Sequence, residues 1–141
     1  MTVVTFLVPG DPQGKGRARS TRSGRHYTPG KTVAYEGLIA HAAAEVMQGR
    51  PLIDSACAVE IIALFGVPAS WSAKRKAQAL AGVIKPARKP DFDNIAKAVG
   101  DGINGVVWRD DSLAVDGSVS KRYADKPGLV VTVRTVGGVA D

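Results

Sequence analysis

The chain has 141 residues, 45% of them apolar, which suits one domain with a core of its own. A formal charge of +6 favours an anionic partner, nucleic acid or a membrane surface. The single cysteine, Cys57, excludes an internal disulfide, and with only two histidines, His26 and His41, the usual zinc patterns are missing. No apolar run reaches the roughly 18–20 residues of a membrane span. Pro9, Gly10 and Asp11 interrupt the first apolar stretch too early for a signal peptide, so the expected compartment is the cytoplasm of a cell or of an infected host.

Thr2 to Val8 is rich in β-branched residues and reads as a strand. Residues 9–31 form a glycine- and proline-rich basic loop carrying Lys15, Arg17, Arg19, Arg22, Arg25 and Lys31, with a short extended piece at Arg25 to Thr28. From Val33 to Met47 the apolar spacing is that of an amphipathic helix, stopped by Gly49 and Pro51. Ala56 to Val67 alternates as a long strand, and Ile62 and Leu64 call for partial cover on its second face. Ser70 or Ser72 caps a short helix through Leu80, which carries Lys74, Arg75 and Lys76 on a solvated face. Lys85 to Pro90 is a basic linker. Phe92 to Asn104 is the clearest helix: Phe92, Ile95, Ala96, Val99 and Ile103 make its apolar stripe, and Asp93, Lys97, Asp101 and Asn104 line the other. Leu113 to Tyr123 and Leu129 to Val136 read as two strands joined as a hairpin through residues 124–128. The expected fold is a single α+β domain over residues 1–141, with a small antiparallel or mixed sheet and helices packed on it.

The acids are unevenly spread. Of thirteen, six are aspartates between positions 91 and 116, a window without glutamate. Asp91 and Asp93 flank Phe92, and Asp93 has the composition of a helix N-cap. A reversal after Asn104-Gly105 brings Asp111 back toward Asp93. Three carboxylates in one place repel, and a divalent cation relieves that cost; oxygen ligands without Cys or His favour Mg²⁺ or Mn²⁺. Such ions suit phosphoryl chemistry, and Lys97, one turn after Asp93, is placed to stabilise charge or position a water. Lys85, Arg88 and Lys89 precede the acids, and with Lys15, Arg17, Arg19, Arg22 and Arg25 they make the candidate DNA-binding set. Each feature has a plainer reading: Asp93 as a cap, Asp93–Lys97 as an i,i+4 surface pair, Asp110-Asp111 as turn acids, Asp101 as a solvated helix face. Tyr27, Trp71 and Trp108 are stacking candidates for which buried packing is the default.

The block Lys89-Pro90-Asp91-Phe92-Asp93-Asn94-Ile95-Ala96-Lys97-Ala98-Val99-Gly100-Asp101-Gly102-Ile103-Asn104-Gly105, followed by Val106-Val107-Trp108-Arg109-Asp110-Asp111, closely resembles the RusA family of Holliday junction resolvases, common in phages and prophages. Pro9-Gly10-Asp11-Pro12 leading to Lys15-Gly16-Arg17 resembles that family's basic loop, and Lys121-Arg122-Tyr123 its closing hairpin. The resemblance implies a homodimer that makes paired, Mg²⁺- or Mn²⁺-dependent nicks across a four-way DNA junction, without a nucleotide cofactor. It implies metal-binding roles for Asp91, Asp93 and Asp111 and a catalytic role for Lys97. Arg17-Ala18-Arg19 departs from the family in having alanine where many relatives have proline. Gly100 departs in standing where a larger apolar residue is usual, at a cost of roughly 1 kcal/mol against alanine in a helix. Three other classes stay open: a nuclease acting on flaps or other branched DNA, a non-catalytic DNA-binding module whose acids are structural, and a nucleotide or sugar transferase using Asp-x-Asp. The last lacks a glycine-rich phosphate loop between strand and helix.

Overall fold

A computed structural model describes residues 1–15, 19–20, 26–27 and 30–137, with the backbone alone at 19–20, 26–27 and 31. Arg17, Arg22 and Arg25 of the basic loop lie outside the described residues, as does the side chain of Arg19. The elements run β1 (Val3–Pro9), β2 (Arg19–Ser20), β3 (His26–Tyr27), α1 (Gly30–Met47), β4 (Cys57–Gly66), α2 (Ala73–Leu80), α3 (Phe92–Ile103), a 3-10 turn (Asp111–Leu113), β5 (Ala114–Ala124) and β6 (Gly128–Thr135). Strands β2 and β3 pair with each other as a small ribbon inside the basic loop. The architecture is α+β, as expected. Among the described residues no helix is long and apolar enough to cross a membrane.

The main sheet has the order β1-β6-β4-β5, antiparallel except for the parallel pair β4/β5. Alternation sorts each strand into two faces. Val4, Phe6 and Val8 of β1 stand opposite Val133, Val131 and Leu129 of β6, which in turn stand opposite Val59, Ile61 and Ala63 of β4. These rungs form the floor of the core. Tyr35, Ile39, Ala43 and Met47 of α1 and Ile95, Ala98, Val99 and Ile103 of α3 close it from above, all buried. The opposite face stays more open: Val3 and Leu7 are exposed there, and the hydroxyls of Thr5 and Thr132 pair across it at 3.1 Å.

The expected hairpin of the last two strands does not form. Strand β4 lies between β5 and β6, and both hydrogen-bond to it rather than to each other. The composition explains the exchange. Strand β4 carries apolar residues on both faces and gains from two neighbours, whereas Asp116, Gly117 and Ser118 of β5 are exposed and suit an edge. The link through Asp125, Lys126 and Pro127 spans two strand spacings, roughly 10 Å, which a few extended residues cover. It passes the end of β4, where the Pro127 ring comes 3.9 Å from the Cβ position of Gly66.

Two further expectations shift at α3. Its N-cap is Asp91, not Asp93, and the Asp91 side chain makes no cap hydrogen bond. Phe92 is 65% exposed rather than part of the apolar stripe. It shares the angular face of Ile95 and Val99 but stands in the first turn, short of the layer that covers them. Ser72 caps α2, accepting from the Arg75 N–H at 3.2 Å. Trp108 is buried and its indole N–H donates to Asn104 Oδ1 at 2.7 Å, so the segment leaving α3 folds back on its own helix end. Trp71 is half-buried, edge-on to Tyr123 at 5.4 Å with the Arg75 guanidinium 3.9 Å above its ring.

Two glycines of α3 meet different neighbours. A Cβ at Gly102 would stand 2.9 Å from Ile39 Cγ2 and 3.4 Å from the Glu36 carbonyl, so the α1–α3 crossing has no room for a methyl. A Cβ at Gly100 would meet Asp111 at 3.5 Å, an ordinary contact. The two alanine variants should therefore differ in sign. Gly102→Ala should destabilise by about 1–3 kcal/mol through overpacking. Gly100→Ala should stabilise by up to about 1 kcal/mol through helix propensity. Urea unfolding of the two variants beside the parent checks both; equal effects would mean that the crossing has slack.

Candidate active site

The basic loop and the acidic helix meet at the start of α3. Pro12 is buried, and the chain then runs along α3 so closely that a Cβ at Gly14 would lie 2.8 Å from Asn94 Cβ and 3.0 Å from Pro90 Cβ. The Lys15 N–H donates to the Asn94 carbonyl at 3.0 Å. The root of the loop is thus bonded to the turn that bears Asp91 and Asp93, both exposed.

Toward the other end of α3, the turn after Trp108 delivers Asp110 and Asp111. Ile53 and Trp108 form a bridge, and the Arg109 N–H donates to the Ile53 carbonyl at 3.1 Å, which holds the segment against the loop before β4. Asp110 is the cap of the 3-10 turn, accepting from the Ser112 N–H at 3.1 Å. Hydrogen bonds from Ser112 hold its carboxyl below the usual carboxylate range. The plainer turn reading therefore fits Asp110. Asp111 is half-buried and packs against Gly100, not at the first turn of α3 with Asp93. Between Asp93 and Gly100 the helix rises roughly 10 Å. Among the described residues no three His, Cys, Asp or Glu side chains are grouped closely enough to hold one metal ion.

The donor chemistry still fits a hard divalent cation: oxygen ligands only, and an Asp91 carboxylate that the helix end does not use. Lys97 stands between the two ends and is exposed. It does not pair with Asp93. Its ammonium reaches Asp101 Oδ1 at 3.4 Å, while Asp101 Oδ2 takes Lys15 at 3.2 Å. Lys15 also donates to Glu36 Oε2 of α1 at 2.7 Å. The Glu36 carboxylate raises the Lys15 ammonium above its ordinary pKa, against the burial that would lower it, and Asp101 adds to the rise. Asp101 is therefore no solvated face, and Glu36 is a participant with no sequence signal beyond being an acid in a helix.

The basic linker before α3 is fixed from the sheet. The Lys121 ammonium of β5 donates to the Arg88 carbonyl, and the Arg88 guanidinium lies 4.9 Å from the centre of the Phe65 ring at the end of β4. Lys85, Arg88 and Lys89 are exposed in the segment that leads into α3.

Known proteins resemble the chain over nearly its whole length. A curated relative, an uncharacterised protein YqaN of Bacillus subtilis (strain 168), is 34% identical over 143 residues, covering 96% of this chain and 99% of that protein. The family model of the endodeoxyribonuclease RusA matches residues 9–134, from the start of the basic loop to the last strand, and the chain belongs to that family.

Proposed function

We propose that the protein resolves four-way DNA junctions by paired, metal-dependent phosphodiester hydrolysis, acting as a homodimer in the cytoplasm of a bacterium or of a phage-infected host. The family supports an endodeoxyribonuclease. The observation that carries the reading is the junction of loop and helix: the Lys15 N–H on the Asn94 carbonyl ties a basic loop to the helix turn that holds Asp91 and Asp93. A phosphodiester drawn to the basic side lies beside the carboxylates.

In this reading Asp91, Asp93 and Asp111 hold Mg²⁺ or Mn²⁺. When bound, such an ion lowers the pKa of water and offsets charge on the phosphoryl and leaving oxygens. Lys97 stabilises the negative charge that develops on the phosphoryl group. Arg17, Arg19, Arg22 and Arg25 of the loop, and Lys85, Arg88 and Lys89 of the linker, take backbone phosphates. Lys15 contributes positive charge at the loop's root. A four-way junction has near two-fold symmetry, and a C2 dimer presents two equivalent sites to its opposed strands. A nuclease of broader taste, acting on flaps or forks, would use the same groups and differs only in substrate ranking.

The test is cleavage of an end-labelled four-way junction beside a linear duplex of the same sequence, with and without Mg²⁺. Symmetric nicks on the junction alone, dependent on metal, are expected. Asp93→Asn should lower the rate by about a hundredfold or more while leaving junction binding intact. Normal cutting by that variant would sink the assignment, and equal cutting of flaps would favour the broader nuclease. Lys97→Ala should slow cleavage by about a hundredfold with little change in binding. Arg17→Ala combined with Arg19→Ala should weaken binding and shallow its log–log salt slope by about two, one for each phosphate no longer neutralised. An unaltered slope would remove the loop from the interface.

A further inference from the structure

The chain Glu36–Lys15–Asp101–Lys97 alternates in sign and joins three parts of the molecule: α1, the root of the basic loop, and α3. Its geometry is not that of ordinary helix stabilisation. In the Lys97–Asp101 pair the base precedes the acid, the less favourable order for an i,i+4 pair. Asp101 stands in the last turn of α3, which ends at Ile103, where the helix dipole disfavours an acid. The α1–α3 crossing also sets Asp101 beside Glu36, a like charge. Lys15 relieves that repulsion by bonding both, at 2.7 and 3.2 Å, with its side chain only 25% exposed. One Asp101 oxygen is occupied by Lys15, so the other is left in a set direction for Lys97, whose side chain is 59% exposed.

We propose that Asp101 and Lys15 are positioning residues for Lys97: Lys15, anchored by Glu36, fixes the Asp101 carboxylate, and Asp101 holds the Lys97 ammonium over the acidic face of α3. This rests on the reading of Lys97 as a group that acts on the phosphodiester. It assigns Lys15 a task inside the protein, distinct from that of the arginines further along the loop. Because Lys15 is also the root of that loop, the loop's attachment and the direction of Lys97 depend on the same ammonium.

The experiment joins kinetics to a measurement that needs no activity. In single-turnover cleavage at saturating enzyme, Asp101→Asn, nearly isosteric, should lower the rate by about fivefold to tenfold with the junction Kd unchanged within about twofold. Asp101→Asn added to Lys97→Ala should cost nothing further, since the residue it positions is gone. Lys15→Met should lower the rate by a larger factor than it weakens junction binding, and Lys15→Arg should restore most of the rate. Independently, acetylation of metal-free protein by a small amine reagent, read by mass spectrometry, should label Lys97 about threefold faster in Asp101→Asn, with Lys74 as an unchanged reference.

Unchanged labelling of Lys97 would overturn the proposal. So would a loss of junction affinity in Lys15→Met as large as its loss of rate, which would make Lys15 a phosphate contact. If the parent protein fails to cut junctions but Asp101→Asn still accelerates labelling of Lys97, the proposed function falls and the positioning stands.

Discussion

The close crossing of α1 and α3 at Gly102 is the constraint from which the site follows. With Ile39 pressed to 2.9 Å from where a Cβ would be, the two helices approach more nearly than side chains at the contact ordinarily allow. Helices that close bring their flanking residues together, and here the flanking residues include Glu36 and Asp101. Two carboxylates side by side in a partly dry groove are unstable alone. Lys15 answers them, and in doing so pins the loop that leaves β1. One steric choice in the core thus sets the position of a surface loop and the charge pattern of the helix beneath it.

The helices were legible because their signals are local. Ser72, the stripe of Ile95, Val99 and Ile103, and the stop at Gly49 each act within a turn or two of chain. The strands were legible as strands but not as neighbours. Composition marks Leu113 to Tyr123 and Leu129 to Val136 as extended, and a short turn between them invites a hairpin; only the need of β4 for a partner on each side puts it between them. In the site, the acids and bases were visible as residue types, while their pairing was not. Lys97 has an acid four residues away in each direction along the helix, and it turns to Asp101 because Lys15 holds Asp101 in place. That third residue lies far away in sequence, beyond any periodic pattern. Gly100 shows the same lesson in small: the sequence marks it as a departure from the family, and only the structure shows that the residue facing it is Asp111, at an ordinary contact distance.

The candidate site is assembled from elements that meet α3 at its two ends. The β1 loop arrives at its first turn, the segment tied down by Trp108 arrives at its last, and the basic linker is held to the sheet through Lys121 and Arg88. Asp91 and Asp111 are therefore carried by separate segments that meet α3 at different turns.

Strand β6, the last in the chain, fills the gap between β1 and β4, and its final residues hydrogen-bond to the first: the Thr135 N–H to the Thr2 carbonyl, and the Thr2 N–H to the Thr135 hydroxyl. Until β6 has emerged from the ribosome, β1 has no strand to lie against and the floor beneath α1 and α3 is split in two. Contacts of such long sequence separation form late and slowly. A chain cut short before β6 therefore lacks the continuous sheet beneath α1 and α3, and the helix that carries Asp93 and Lys97 has only part of the surface it packs on.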